Sequence, residues 1–466
     1  MNITCIRDLA KLIDGQPVLG SLPPLGGELE PIGRVVVNCD DVRQGDVFWG
    51  LANDSAHLAE AAFARGAAGV VVAGRDLEPW AGMFSIKVAD TNVALRKFAR
   101  WKASQLTARV ILVADAAGSS VAARIESVLN SEFCGTRCSV SDELSALLAT
   151  LQIGEDDDYA IVEVADQFAK VTDWFASFDL PHVATLHDYP LCQWRATKQT
   201  DPWELELLSR LPTRCQTVIT DQHRMRRLSS CTNSQTIVVG RGIDCDFAAT
   251  NVQSKNGQLR FSIEDVEFRV PAWGRQQVDE VLTACAVAQC FGIPLTKTAS
   301  ILAQSRDVAT NHIIETKTGL IIDRSGVPSF QAVLAGLDEL RESTSPSRRV
   351  AIVGQGMTDD DDRNCQLLGE SLVTRAGVNL LIGCGPSSKV VLQAAGEAGL
   401  PPEHAVWCNE TKELQQLTSS LMTPLPERSS TSCESAGRNS NSPQHIGCGE
   451  LAVLLPKSSL RRAHCH

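Results

Sequence analysis

The sequence predicts an α/β protein of three domains, with a P-loop-like parallel sheet in the middle and a Rossmann-like domain at the C-terminal end. Three observations carry this. From residue 108 the chain repeats strand, turn and helix, through ARVILVAD, YAIVEVAD, PHVATLHD, CQTVITDQ and QTIVVGRG. These runs are apolar at successive positions, as in strands covered by helices on both faces. After 306 a second set begins, with GLIIDRSG, RVAIVGQG and VNLLIGCG. The length of 466 residues, at roughly 150 per domain, also gives about three domains. The boundaries read as 1–105, 106–306 and 307–466.

In the first domain, GRVVVN and GDVFWGLA read as strands by their β-branched and aromatic content. HLAEAAFARGAAGVVVAG reads as a helix ending near Gly66, then a strand at Val70–Val72. MFSIKVAD is a further strand, and TNVALRKFARWKASQL an amphipathic helix leading into the second domain. In the middle domain, residues 256–271 pattern as a polar-faced hairpin, and QQVDEVLTACAVAQCFGI as a helix with small residues on its packing face. In the third, helices are expected near 329–342, 364–376 and 388–398, with the linker STSPSRR after the first. AVWCNE and ELAVLLP read as its last strands. Between them, 423–447 is rich in Ser, Pro and Asn and reads as a disordered insertion.

The net charge of −12 argues against a nucleic-acid surface, while leaving room for a local basic pocket around a small anion. No run of about 18 apolar residues exists, so no membrane-spanning helix is expected. The start, MNITCIRDLAKLIDG, places Arg7 and Asp8 ahead of any apolar core, unlike a secretory leader. The expected location is cytoplasmic. The 16 cysteines are irregularly spaced, without CxxC or paired Cys/His metal spacing. They read as small buried apolar residues.

The stretch LVADAAGSSVAARIESVL at 112–129 is a strand, a small-residue turn and a helix with Val121, Ile125, Val128 and Leu129 on one face. That is the setting of a phosphate-binding loop, yet no lysine stands where a nucleoside triphosphate needs one. A plain strand–helix turn and a loop that has lost its cation both remain open.

The order of segments resembles the Mur ligases, in particular the branch that joins D-alanyl-D-alanine to UDP-N-acetylmuramoyl-tripeptide. The resemblance rests on VRQGDVFWGLANDSAHLAEAAFARGAAGVVV, ARVILVADAAGSS, GRQQVDEVLTACAVAQCFGIPL, RRVAIVGQGM, AGVNLLIGCG and ELAVLLPKSS, in that order. It implies amide-bond formation driven by ATP and Mg²⁺ through an acyl phosphate, in peptidoglycan precursor synthesis. The implied partners are a UDP-linked muramoyl peptide and D-alanyl-D-alanine. Such chemistry needs cations around the transferring phosphoryl group.

Taken residue by residue, the resemblance matches only in part. The family loop of Gly, two small residues, Gly, Lys and Thr falls on Asp115, Ala116, Ala117, Gly118, Ser119 and Ser120. The first glycine is replaced by an anion and the lysine by Ser119, so little ATP turnover is expected. Ser120 keeps a hydroxyl for Mg²⁺, and Glu163 in IVEVAD matches a metal-binding glutamate. The carbamylated lysine falls on Glu204, which either supplies a carboxylate directly or is a charged residue on a helix face.

Elsewhere, Asp188 and about Gln193 stand for an Asn and a metal-binding His, with His187 out of register. The adenine-side segments fall on Thr220-Asp221-Gln222-His223 and Gln276-Gln277, and the third-domain entry lies near Asn311-His312. Asp323 keeps the aspartate after a third-domain strand, and Lys457 keeps the lysine of the closing motif. Asn38-Cys39-Asp40 replaces the uridine-site Asp-Ser-Arg. The resemblance thus points to a ligase of this type, or to a non-catalytic UDP-peptide-binding or regulatory relative.

Outside the resemblance, GQG at 354–356 and GCG at 383–385 read as sharp strand–helix turns rather than dinucleotide loops. The acidic run Asp359–Asp362 reads as a solvated loop, and Arg224, Arg226 and Arg227 as a surface cluster.

Overall fold

The computed structural model describes residues 5–22, 24–51, 56–74, 76–114, 120–164, 171, 174–175, 178–186, 202–221, 226, 230, 232–255, 258–272, 277–305, 313–316, 319–322, 337, 340–341, 348–354, 362–408 and 451–454. Within them the chain forms three sheets in sequence order.

The first contains α1 (Ile6–Leu12), β1 (Gln16–Leu19), β2 (Val35–Val36), β3 (Val47–Trp49), α2 (Ala56–Ala64), β4 (Gly69–Val72), β5 (Phe84–Lys87) and α3 (Thr91–Gln105). The strand order is β1-β5-β4-β3-β2, parallel except for the edge strand β1. Asp90 starts α3 by accepting from the Asn92 and Val93 amides at 2.8 and 3.0 Å. The Trp49 indole is fully buried, stacks on Phe98 and donates to the Thr91 carbonyl at 2.9 Å, tying β3 to α3. The segments of α1 and β1 are too short for a periodic pattern to mark them.

The central sheet comprises β6 (Arg109–Ala114), α4 (Val121–Leu129), β7 (Gly135–Val140), α5 (Glu143–Gln152), β8 (Tyr159–Val164), β9 (Val183–Leu186), α6 (Pro202–Arg210), β10 (Gln216–Thr220), β11 (Gln235–Gly240), β12 (Phe247–Lys255), β13 (Gln258–Ile263), β14 (Val266–Pro271), α7 (Gln277–Cys290) and α8 (Leu295–Gln304). Its nine strands run β14-β13-β12-β11-β10-β9-β6-β8-β7. From β7 to β12 all pairings are parallel, and β12-β13-β14 continue antiparallel. The expected polar-faced hairpin is β13–β14, with Leu259, Phe261 and Ile263 inward and Gln258 and Arg260 outward. β7, whose sequence GTRCSV gave no apolar run, is the half-exposed edge strand. The side chains of α3 and α5 join one core, and Arg96 pairs with Glu143 across them at 2.9 Å.

The third sheet contains β15 (Ile313–Thr316), β16 (Gly319–Ile322), β17 (Arg348–Val353), α9 (Asp362–Thr374), β18 (Leu380–Cys384), α10 (Ser388–Glu397), β19 (Ala405–Cys408) and β20 (Leu451–Leu454). In the order β15-β16-β20-β17-β18-β19, the last of the described strands enters the middle of the sheet. The helix expected near 329–342 lies largely outside the described residues, and the 423–447 insertion lies wholly outside them. Among the described residues no helix is long and apolar enough to cross a membrane.

The cysteines are less uniform than expected. Cys5, Cys215, Cys285, Cys365 and Cys408 are buried, but Cys134 is exposed and others are half-buried. Cys134 and Cys138 flank or lie on the edge strand, where burial is incomplete.

One cap carries a measurable consequence. Asp142 accepts from the Ser145 amide at 2.7 Å and Ser145 Oγ accepts from the Asp142 amide at 2.9 Å, closing a capping box on α5. The Ser145 amide and hydroxyl hold the Asp142 carboxyl below its ordinary value. Asp142→Ala is expected to cost about 1 kcal/mol in urea unfolding at neutral pH. Because the folded-state pKa is depressed, this contribution is full above the ordinary Asp range and is lost as pH falls from that range through the lower folded-state value. The wild-type and variant curves therefore converge in acid.

Candidate functional site

In the central sheet, β6 has β8 on one side and β9 on the other. The chain leaves β6 to build one flank through β7 and β8, then returns to build the other. Parallel sheets bind ligands beyond the carboxyl ends of strands at such a switch point. Here that edge is formed by Ala114 at the end of β6, Ser120 ahead of α4, and Glu163 near the end of β8, where Val113 is paired with Glu163.

Ser120 is the N-cap of α4 and is only 6% exposed. Its hydroxyl donates to Glu280 Oε2 in a very short bond, and its backbone amide donates to the same oxygen at 3.3 Å. Glu280 reaches this point from the first turn of α7, at 5% exposure. Arg124, one turn into α4 and fully buried, donates through Nε to Ser120 Oγ at 2.8 Å. Its Nη2 donates to Gln277 Oε1 at 2.5 Å, and its Nε lies 3.8 Å from Glu280 Oε2. Two helices therefore close on each other through a buried ion pair, with the Ser120 hydroxyl between the charges.

Ser120 is legible in the sequence as a loop residue, whereas Arg124 and Glu280 are not. A signal was present. Arg124 falls between Val121 and Ile125 on the apolar stripe of its helix, where an unpartnered cation is costly. Glu280 likewise shares its helix with the buried run Val281–Ala288, and its own side chain is buried with them. Gln277, aligned by resemblance with an adenine-side position, instead bonds Arg124.

Glu163 lies on the same edge and carries its own guanidinium. Arg137 Nε donates to Glu163 Oε1 in a short bond, and Arg137 Nη1 pairs with Glu126 at 3.1 Å. Burial disfavours the charge on Arg137, but the two carboxylates outweigh it and hold the guanidinium above its ordinary pKa. Beside it, burial first and the Glu163 carboxylate second push the Cys138 thiol up to about 12, leaving it neutral.

The other assigned positions are not brought to this edge by any described contact. Asp115, Gly118, Ser119, His187, Asp188, Gln193, Gln276, Asn311, His312, Asp323 and Lys457 lie outside the described residues. Glu204 falls on α6, but its side chain lies outside the description as well. Asp221 follows β10 and bonds exposed Arg226 at 2.5 Å. Burial raises the Asp221 pKa, but Arg226 leads the contacts that leave it below its ordinary value. Asn38 caps a short turn by accepting from Asp40, and Asp40 pairs with Arg65 at 2.8 Å. In the third sheet, the GCG turn has Gly385 at φ +94°, a left-handed conformation that favours glycine, and leads directly into α10. It is the sharp turn the sequence suggested. Of the acidic run, only Asp362 is described, at the start of α9.

Magnesium takes near-octahedral oxygen ligands. Ser120 has committed its proton to Glu280 and accepts from Arg124. Glu163 Oε1 is committed to Arg137. A divalent cation on either oxygen would stand against a guanidinium. The described donor set does not fit a magnesium–nucleotide complex in this arrangement, and no lysine follows Gly118 in the sequence to meet a terminal phosphate.

The three sheets and their order define the three-domain fold of the Mur ligases. MurF from Acinetobacter baumannii superposes with a TM-score of 0.72 at 15% identity, covering 98% of this chain and 96% of that one. MurF from Thermotoga maritima, solved in complex with ADP, gives 0.66 at 15% identity, over 92% and 95%. A pseudomurein peptide ligase type C from Methanothermus fervidus gives 0.54 at 12% identity, over 86% and 85%. No protein-family model matches the sequence, and no curated protein does. The likeness is therefore one of fold.

The buried pair sets a clear expectation. Arg124→Met strands the Glu280 carboxylate in an apolar core, and removing one partner of such a pair costs about 3–5 kcal/mol. Urea denaturation of the variant is expected to show a loss of that order; a loss below about 1 kcal/mol would show that the pair is solvated.

Proposed function

We propose that the protein is a cytoplasmic Mur-ligase-like binder of a UDP-linked muramoyl peptide, with little or no ATP-dependent ligation of D-alanyl-D-alanine. The observation that carries this is the commitment of Ser120 and Glu163, the two metal-side oxygens on the switch-point edge, to Glu280, Arg124 and Arg137. The replacement of the loop lysine by Ser119 and of its first glycine by Asp115 points the same way. Losing one well-placed group against developing charge already lowers turnover about 10²–10³-fold, and here several are absent together. The near-complete match to the MurF fold supports retention of the peptide-side scaffold.

The second reading is a working ADP-forming ligase of peptidoglycan precursor synthesis. It is favoured by the solved MurF that carries ADP on the same fold. Titration calorimetry separates the two. Millimolar or absent ATP·Mg²⁺ affinity beside tight UDP-muramoyl-tripeptide affinity supports the binder. Micromolar ATP affinity with phosphate release on adding D-alanyl-D-alanine establishes the ligase.

A graded variant follows from the same site. Asp115→Gly combined with Ser119→Lys restores the loop residues but leaves Ser120 and Glu163 on their arginine-containing networks. We expect no recovery of phosphate release in a coupled assay, and recovery to a ligase-like rate would place the whole defect in the loop.

A further inference from the structure

His182 stands just ahead of β9, half-buried at the amino end of the central sheet, opposite the switch-point edge. Its backbone is tied on both sides. The His182 amide donates to the Val110 carbonyl at 2.9 Å, and the His182 carbonyl accepts from the Gln216 amide at 3.0 Å. The side chain adds a third tie, in which imidazole Nδ1 accepts from the Val110 amide at 3.0 Å. In a regular parallel ladder that amide goes to a backbone carbonyl of the next strand, but β9 begins only at Val183. Val110 is fully buried, so its amide needs a partner, and the ring supplies it. A ring nitrogen accepts only when it carries no proton, so the contact fixes a neutral imidazole with its hydrogen on Nε2.

We propose that His182 is an acid-sensitive latch: on taking up a solvent proton at Nδ1 it sets an N–H against the Val110 N–H and releases the start of β6 from β9. The surroundings resist the charged ring. Among the described residues, the charged groups that face it are Arg109 from β6, Arg214 from the segment ahead of β10 and Asp179 from the loop ahead of β9. Asp179 is paired with Arg214 at 2.8 Å. Arg109 lies over the Phe291 ring and donates to the Cys290 carbonyl at 2.9 Å. Burial pushes the Cys215 and Cys290 thiols beside these groups up to about 12 and about 11, so both stay neutral. Burial first, then Arg214 and Arg109, hold the His182 pKa below its ordinary value, with Asp179 opposing them. Because the closed-state value is depressed, the latch is fully closed above the ordinary His range. Its contribution is lost as pH falls from about 6.5 through the lower closed-state value.

Hydrogen exchange of the full chain reads the latch, followed by mass spectrometry on peptides covering 109–114 and corrected for the intrinsic rate at each pH. A proton that binds only the open form raises the open population roughly tenfold between about pH 7.5 and about pH 5.5. Wild-type protection at Val110 and Ile111 is expected to fall by that factor. His182→Asn puts a carbonyl oxygen that does not titrate in place of Nδ1, and is expected to keep its protection over the same range. His182→Ala has no acceptor and is expected to be weakly protected at both ends of it. Should the variants fail to fold, long-range ¹H–¹⁵N spectra of the wild-type imidazoles at neutral pH decide, and a His182 proton on Nε2 alone supports the latch. The proposal is overturned if His182 carries a proton on Nδ1 at neutral pH, if wild-type protection does not change, or if His182→Asn loses protection as the wild type does.

Discussion

The central domain depends on one buried contact, the ion pair of Arg124 and Glu280 around the Ser120 hydroxyl. It joins α4, which follows the first central strand, to α7, which follows the β13–β14 hairpin. A charge pair removed from water is stable only when its hydrogen bonds are satisfied, because the desolvation of each ion costs several kcal/mol. Here Ser120 accepts from Arg124 Nε and Gln277 from its Nη2. The contact also answers the question raised by the small-residue turn at 112–129. The helix behind that turn ends on an anion, as a phosphate-binding helix does, but the anion belongs to the protein.

The same logic applies one strand away. Glu163 near the end of β8 stands where a cation ligand is expected, and Arg137 from the edge strand β7 provides a permanent cation. A guanidinium cannot lose its charge in the accessible pH range, so it competes with a divalent ion for that carboxylate at every pH where the carboxylate is ionised. Both pairs place a fixed arginine charge on an oxygen that the sequence resemblance assigns to a metal.

The architecture was legible because strands buried on both faces announce themselves. Val110–Val113, Ile161–Val162 and Val218–Ile219 could only be interior, and their spacing demanded crossovers. What stayed hidden was of two kinds. β1 and β7 are short or edge strands with half their side chains in solvent, so no apolar run marks them. Arg124 and Glu280 are charged residues inside apolar stripes, and a sequence shows each without its partner because 156 positions separate them. Alignment with a family motif could locate Ser120 and Glu163, but it could not say which neighbours their oxygens would meet.

This separation has a physical consequence for how such a scaffold persists. A fold that relies on bound phosphate to satisfy a helix N-terminus loses stability when the ligand leaves, by an amount set by ligand concentration over its dissociation constant. A carboxylate delivered on α7 has no such dependence; its effective concentration is fixed by the packing of Val278, Val281 and Leu282 in the shared core. The apolar packing of α4 and α7 thus does two things at once. It buries the two helices, and it holds Glu280 against Ser120 whether or not any small molecule is present. The bond between α4 and α7 is thus part of the folded core itself, made by side chains that the packing of the two helices already brings together.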